Sequence, residues 1–277
     1  MNSDETDAVA TSDAVATADV GLLDHGGRDI DEGGFGAIVL VHGLMGRGRT
    51  WRRQVPWLRR YGRVFTFDAA NHQGAGAVDR SDISTERFVT DLAEIITWID
   101  RGPAVLIGHS MGGLHSWCTA AAYPELVSAV VVEDMAPDFR GRTTGTWTPW
   151  FESWPDRFPD LESAVEMFGA VAGRYFYEAF DDGRLHGSIP VWADIAEEWG
   201  SRAFWGQWDA VAVPTLLLEA GYSVTPVGQM AEMARRKPGS PYLRVDGAGH
   251  LLHDDAPGVF RGAVEAFLSE FVGRPVH

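Results

Sequence analysis

The 277-residue chain has a single cysteine, Cys118, so no disulfide can form within it. No apolar run approaches the roughly 18 residues that cross a bilayer. Residues 1–20 contain no Lys or Arg and no continuous apolar stretch, so they do not read as a secretory signal. A reducing, cytoplasmic setting is the expectation. Basic residues are also scarce, 23 Lys and Arg against 39 Asp and Glu, for a net charge of −16. Half of that comes from residues 1–32, where Asp4, Glu5, Asp7, Asp13, Asp19, Asp24, Asp29, Asp31 and Glu32 face only Arg28. This stretch reads as a disordered acidic tail. The acidic surface argues against nucleic acid and anionic membranes as partners. No metal-ligand spacing is present, and no metal or cofactor is expected.

What is present is a 45% hydrophobic chain, enough for one large α/β domain with an insertion or for two small domains. Short apolar runs of the kind buried on both faces of a parallel sheet occur at Phe35–Val41, Arg63–Phe67, Pro103–Ile107, Val127–Glu133, Pro214–Leu218 and Tyr242–Val245. Helical patterns lie between them, over Thr50–Tyr61, Thr85–Asp100 and Phe260–Phe271. Alternating strands and helices predict a mostly parallel sheet covered on both faces. Residues 139–208 break the alternation. They carry no buried-strand pattern but hold seven of the eleven Trp, namely Trp147, Trp150, Trp154, Trp192, Trp199, Trp205 and Trp208. A helical insertion above the sheet is expected, with some aromatics forming its own core and others facing a pocket.

The strand at 103–107 runs into Gly108-His109-Ser110-Met111-Gly112-Gly113 and then a helix-prone segment. Strand, Gly-x-Ser-x-Gly, helix is a nucleophile elbow, which pushes one serine out at the carboxyl edge of a sheet. A serine hydroxyl needs a base, usually a His oriented by a carboxylate. His250, in Gly247-Ala248-Gly249-His250 after the last strand, is the expected base; His253, one turn on, is the competitor and is expected to face away or pack. An oxyanion needs backbone donors. Met111, at a helix N-terminus, is one; the Leu44 amide in His42-Gly43-Leu44-Met45-Gly46 is the other. His42, Gly43, Trp147, Trp150 and Trp205 are candidate pocket residues.

These three motifs, in this order, resemble the α/β-hydrolase superfamily over residues 35–275. The segment Asp134-Met135-Ala136-Pro137 is similar to that of the small capped esterases within it. The resemblance implies a mostly parallel eight-stranded sheet with helices on both faces. The core would be formed by residues 33–138 and 209–277, with a helical cap over 139–208. The chain departs from the commonest pattern in one place. The loop after the penultimate strand, Glu219-Ala220-Gly221-Tyr222-Ser223-Val224-Thr225-Pro226, has no Asp, and Ser223 stands near where one is expected. Asp134, at the end of the strand after the elbow helix, is the leading candidate for the acid, and Glu219 is the alternative. Strand alternation points Glu133 away from Asp134. Asp209 reads as a cap-hinge residue.

The resemblance implies a carboxylesterase-type serine hydrolase for a small to medium hydrophobic ester. Cofactor-free haloperoxidases and C–C bond, lactone or thioester hydrolases share this machinery. Dehalogenases and epoxide hydrolases, which attack with an Asp, are disfavoured by Ser110. A non-catalytic ligand-binding protein of the same fold is the remaining alternative.

Overall fold

The computed structural model describes residues 21–74, 78–142 and 144–270. In chain order its strands are β1 (Leu23–Gly27), β2 (Phe35–Val41), β3 (Gly62–Thr66), β4 (Ala104–His109), β5 (Val127–Glu133), β6 (Thr215–Tyr222) and β7 (Tyr242–Gly249). The helices are α1 (Val55–Leu58), α2 (Thr85–Ile99), α3 (Met111–Ala122), α4 (Thr144–Glu152), α5 (Leu161–Phe168), α6 (Ala170–Ala179), α7 (Ile189–Gly200), α8 (Trp205–Ala210), α9 (Gln229–Arg236), α10 (Leu252–Asp255) and α11 (Pro257–Ser269). The strands form one sheet in the order β1-β3-β2-β4-β5-β6-β7, parallel except for β1.

Two expectations about the sheet are corrected. The sheet has seven strands among the described residues, where the resemblance implied eight. Residues 23–27, read as part of an acidic tail, are the antiparallel edge strand β1, paired to β3 from Leu23↔Thr66 to Gly27↔Arg63. An edge strand needs no apolar run, because pairing and not burial holds it. Residues 1–20 of that tail lie outside the described residues.

Alternation along the strands sorts the core into two layers. Val39, Val41, Leu106, Val130 and Val132 face one layer; Ile38, Leu40, Val105, Ile107 and Val131 face the other. Each such side chain contributes about 1.5–3 kcal/mol by leaving water. Helix α2 starts where Ser84 accepts the Arg87 N–H at 3.2 Å and ends at Asp100, whose φ of 48° closes the last turn. The segment read as one helix over Thr50–Tyr61 is broken into a 3₁₀ turn at Gly48–Trp51 and the single turn α1. Pro56 lacks the N–H needed to continue a ladder and so sits at the start of α1.

The segment from Thr144 to Ala210 holds five helices, α4 to α8, and its aromatics pack on one another. Trp154, for example, contacts Phe151, Phe158, Phe168, Phe176 and Phe180. Helix α6 and the loop after it are tied to the strip 47–53. Arg47 and Arg49 meet Asp181 at 2.8 and 2.7 Å, Arg53 meets Glu178 at 2.9 Å, and Arg52 also reaches Glu178.

Candidate active site

Sheet order decides which strand ends become neighbours. β2 has β3 on one side and β4 on the other, a switch point of the kind where open α/β sheets bind ligands. Val41 is in register with Gly108, so the loop after β2 lies beside the turn after β4. His109 is in register with Glu133, so Ser110 lies beside Asp134. Tyr222 is in register with Gly249, which brings the loop bearing His250 to the same edge.

Ser110 sits at φ 51° and ψ −125°, before the first turn of α3. Asp134, at φ 48°, is likewise a non-glycine residue with positive φ. Such backbone costs about 1–3 kcal/mol per residue and persists where surrounding structure imposes it. Here the Ser110 N–H is held by the Glu133 carbonyl and the Asp134 N–H by the Leu218 carbonyl, both at 2.8 Å. The flanking glycines are required by space. A Cβ on Gly108 would stand 2.3 Å from the Gly112 carbonyl oxygen, and one on Gly112 2.2 Å from that of Val41.

His250 Nδ1 lies 2.6 Å from Asp134 Oδ2. Asp134 is fully buried, while the His250 side chain keeps 26% of its surface. The other Asp134 oxygen, Oδ1, accepts the Ala220 N–H at 2.9 Å and the Ser223 hydroxyl at 2.7 Å. With an ionised Asp134, Nδ1 of His250 carries the proton and Nε2 is left to accept one. His109 Nε2–H donates to the His250 carbonyl at 3.1 Å. Burial, then the charges of His250 and His253, holds His109 well below the ordinary imidazole pKa.

The loop after β2 is shaped by two neutral histidines. His42 Nδ1–H donates to the Gly43 carbonyl and its Nε2 accepts the Ala69 N–H. His72 Nε2 accepts the Met45 N–H at 3.1 Å. The Gly46 N–H closes a turn onto Gly43 at 2.9 Å, with Met45 at φ 63° as a type II turn requires. Among the described residues, then, Met45 and Gly46 N–H have acceptors while the Leu44 N–H has none. Gly43 lies against the elbow. A Cβ there would meet His109 Nδ1 at 2.6 Å and the Ser110 Cβ at 3.1 Å. Met111 opens α3, where the first N–H groups lack intrahelical acceptors.

The carboxylate that meets His250 is thus Asp134. Glu219 instead binds the Tyr242 hydroxyl in an open cleft of about 360 Å³ beside Ser223, Thr225 and Arg244. Asp209 pairs with Arg236 on α9. The candidate pocket residues divide. Gly43 is at the elbow, and His42 lies buried beneath the loop with both ring nitrogens used. Trp147 packs on Trp199, and Trp150 on Trp154, Phe168 and Phe176. Trp205 lies under the Arg236 guanidinium at 4.2 Å. The rings of all three pack on other aromatics of residues 144–210 or on Arg236.

Two contributors escaped the sequence reading. Ser223, noted only as standing where an Asp was missing, donates to Asp134. Tyr175, on α6, is buried behind the loop after β2, and a Cβ on Gly46 would stand 2.2 Å from its hydroxyl. Only a small residue at position 46 admits it, which is a weak signal in one sequence.

Comparison with known proteins agrees with this architecture. The pattern described as the Alpha/beta hydrolase family matches residues 38–263. The chain is 27% identical over 259 residues to a 2-(acetamidomethylene)succinate hydrolase of Mesorhizobium japonicum, covering 87% of this chain and 91% of that one. It is 30% identical over 263 residues to an sn-1-specific diacylglycerol lipase of Mus musculus, covering 84% and 81%. The crystal structure of an E-2-(acetamidomethylene)succinate hydrolase superposes with a TM-score of 0.75 at 20% identity, over 90% of this chain and 94% of that one. The chain belongs to the alpha/beta hydrolase family.

Proposed function

We propose that the protein is a serine carboxylic ester hydrolase for small to medium hydrophobic esters. The observation that carries this reading is the 2.6 Å contact between Asp134 and His250, at the sheet edge where Ser110 is held in an elbow. Ser110 Oγ attacks the acyl carbon while His250 Nε2 takes its proton. Asp134 holds Nδ1–H, fixes the tautomer and stabilises the imidazolium. The Leu44 and Met111 amides receive the oxyanion. His250 then protonates the departing alcohol, leaving an acyl group on Ser110. Water, deprotonated by His250, adds to this ester, and collapse returns Ser110 and releases the acid. The likeness to a diacylglycerol lipase supports an ester. Leu44, Met45, Met111 and Met135 beside the elbow join one apolar cluster with the helices of 144–210, which supports an apolar substrate.

The test is covalent and kinetic. A fluorophosphonate is expected to label Ser110, and Ser110→Ala to lower kcat on short p-nitrophenyl esters on the order of 10⁶-fold. Equal hydrolysis by Ser110→Ala, with no labelling of the unaltered protein, would overturn the reading.

A further inference from the structure

Glu133 and His253 make a second carboxylate–imidazole pair beside the first. His253 Nδ1 lies 2.8 and 2.9 Å from the two Glu133 oxygens, and the His253 backbone N–H donates to Glu133 Oε1 at 2.9 Å. Both side chains are almost wholly buried, at 0% and 1% exposure. Their carboxylate neighbours that of Asp134 in sequence, and their imidazole is three residues beyond His250. Alternation sends Glu133 to the layer of Trp51 and Phe260, and His253 lands there too. Its ring stacks on Trp51 at 4.5 Å, a placement that favours an imidazolium over the indole face. Burial lowers the His253 pKa, but the Glu133 charge and hydrogen bond outweigh it, so the net shift is upward.

The pair grips the segment that carries His250. Gln54 Nε2–H donates to the His253 carbonyl at 2.9 Å, Arg53 meets Asp254 at 2.7 Å, and Asp255 accepts the Gly249 N–H. His109 holds the His250 carbonyl. Glu133 supplies the only one of these anchors that comes from β5, the strand that also presents Asp134. One strand end therefore sets both the acid and the position of the segment bearing its histidine.

We propose that Glu133 and His253 are positioning residues that hold His250 in register with Asp134. The proposal rests on the serine hydrolase reading and deepens it. A rigid tie from β5 to the His253 backbone removes freedom along the strand direction, the motion that would slide His250 Nδ1 off Asp134 Oδ2. Displacement of a reacting group by about 1 Å costs on the order of 100-fold in rate.

The test compares Glu133→Gln with the unaltered enzyme. Expected are a fall in kcat of about 100-fold, a KM within about twofold, and slower fluorophosphonate labelling in the same proportion. The proton NMR spectrum of the unaltered enzyme should show two low-field imidazole protons. Asp134→Asn should remove the His250 resonance, while Glu133→Gln should remove that of His253 and broaden that of His250. A folded Glu133→Gln enzyme with kcat within twofold of the original overturns the proposal and leaves the Ser110 reading standing. Failure of Ser110 labelling in the unaltered enzyme strikes the reading itself. If Glu133→Gln does not fold, His253→Gln is used, since a protonated Glu133 can donate to the new amide; full kcat there overturns the proposal equally. So does a spectrum of the unaltered enzyme in which His253 gives no low-field proton.

Discussion

Asp134–His250 and Glu133–His253 use the same two functional groups, supplied by adjacent residues of one strand end and by two residues of one short segment. Their geometry is similar, 2.6 Å in one and 2.8 Å in the other. Their surroundings differ. His250 keeps about a quarter of its surface, whereas His253 is sealed between Trp51, Phe260 and Tyr175. A carboxylate–imidazole pair is chemistry only where the outer ring nitrogen faces reachable space. Enclosed on all sides, the same pair is a fastener.

The largest effect that separates the two is expected from Asp134→Asn. An amide there favours the wrong imidazole tautomer, and kcat should drop about 10⁴-fold, well beyond Glu133→Gln, with little change in melting temperature. Steady-state kinetics on one ester decides it; equal losses from the two variants would erase the distinction drawn here.

A second contrast is in the sign of pH dependence. His253 is raised above its unfolded value near 6.5, so its stabilisation is complete below that value and is lost as pH rises through the folded one. His42, His72, His109, His115 and His186 are buried and lowered, His115 to about 3. For these the unfolded chain binds more protons below pH 6.5, so stability falls with acid, by up to about 1.4 kcal/mol per pH unit for each histidine. Their number outweighs His253. The melting temperature should therefore fall steeply from pH 7 to pH 5, and calorimetry at three pH values checks it. A flat profile would mean that these rings reach water.

The smallest expected effect is from Ser223→Ala. Asp134 Oδ1 would keep the Ala220 N–H and lose the hydroxyl. A fall in kcat/KM of about tenfold is expected, near 1.4 kcal/mol, with KM unchanged. An unaltered rate would show that the backbone donor suffices.

The strands β2, β4 and β5 were legible because burial on both faces demands continuous apolar runs, and the elbow because its two glycines are sterically obligatory. Asp134 was legible as a candidate for a similar reason: a strand end beside the elbow admits few other carboxylates. β1 was not, since Leu23-Asp24-His25-Gly26-Gly27 owes its structure to β3 rather than to its own side chains. Alternation correctly turned Glu133 away from Asp134, yet nothing local names a partner 120 residues distant. Trp147, Trp150 and Trp205 carry no periodic signal that separates an inner face from an outer one. Their packing on Trp199, Trp154 and Arg236 had to be seen.

The strip from Gly43 to Arg53 begins as the turn beside Ser110 and ends as the set of arginines gripping Glu178 and Asp181. Floor and roof of the site are thus fastened by a single stretch of backbone. Eleven consecutive residues thus join the elbow-side turn to helix α6 and the loop after it.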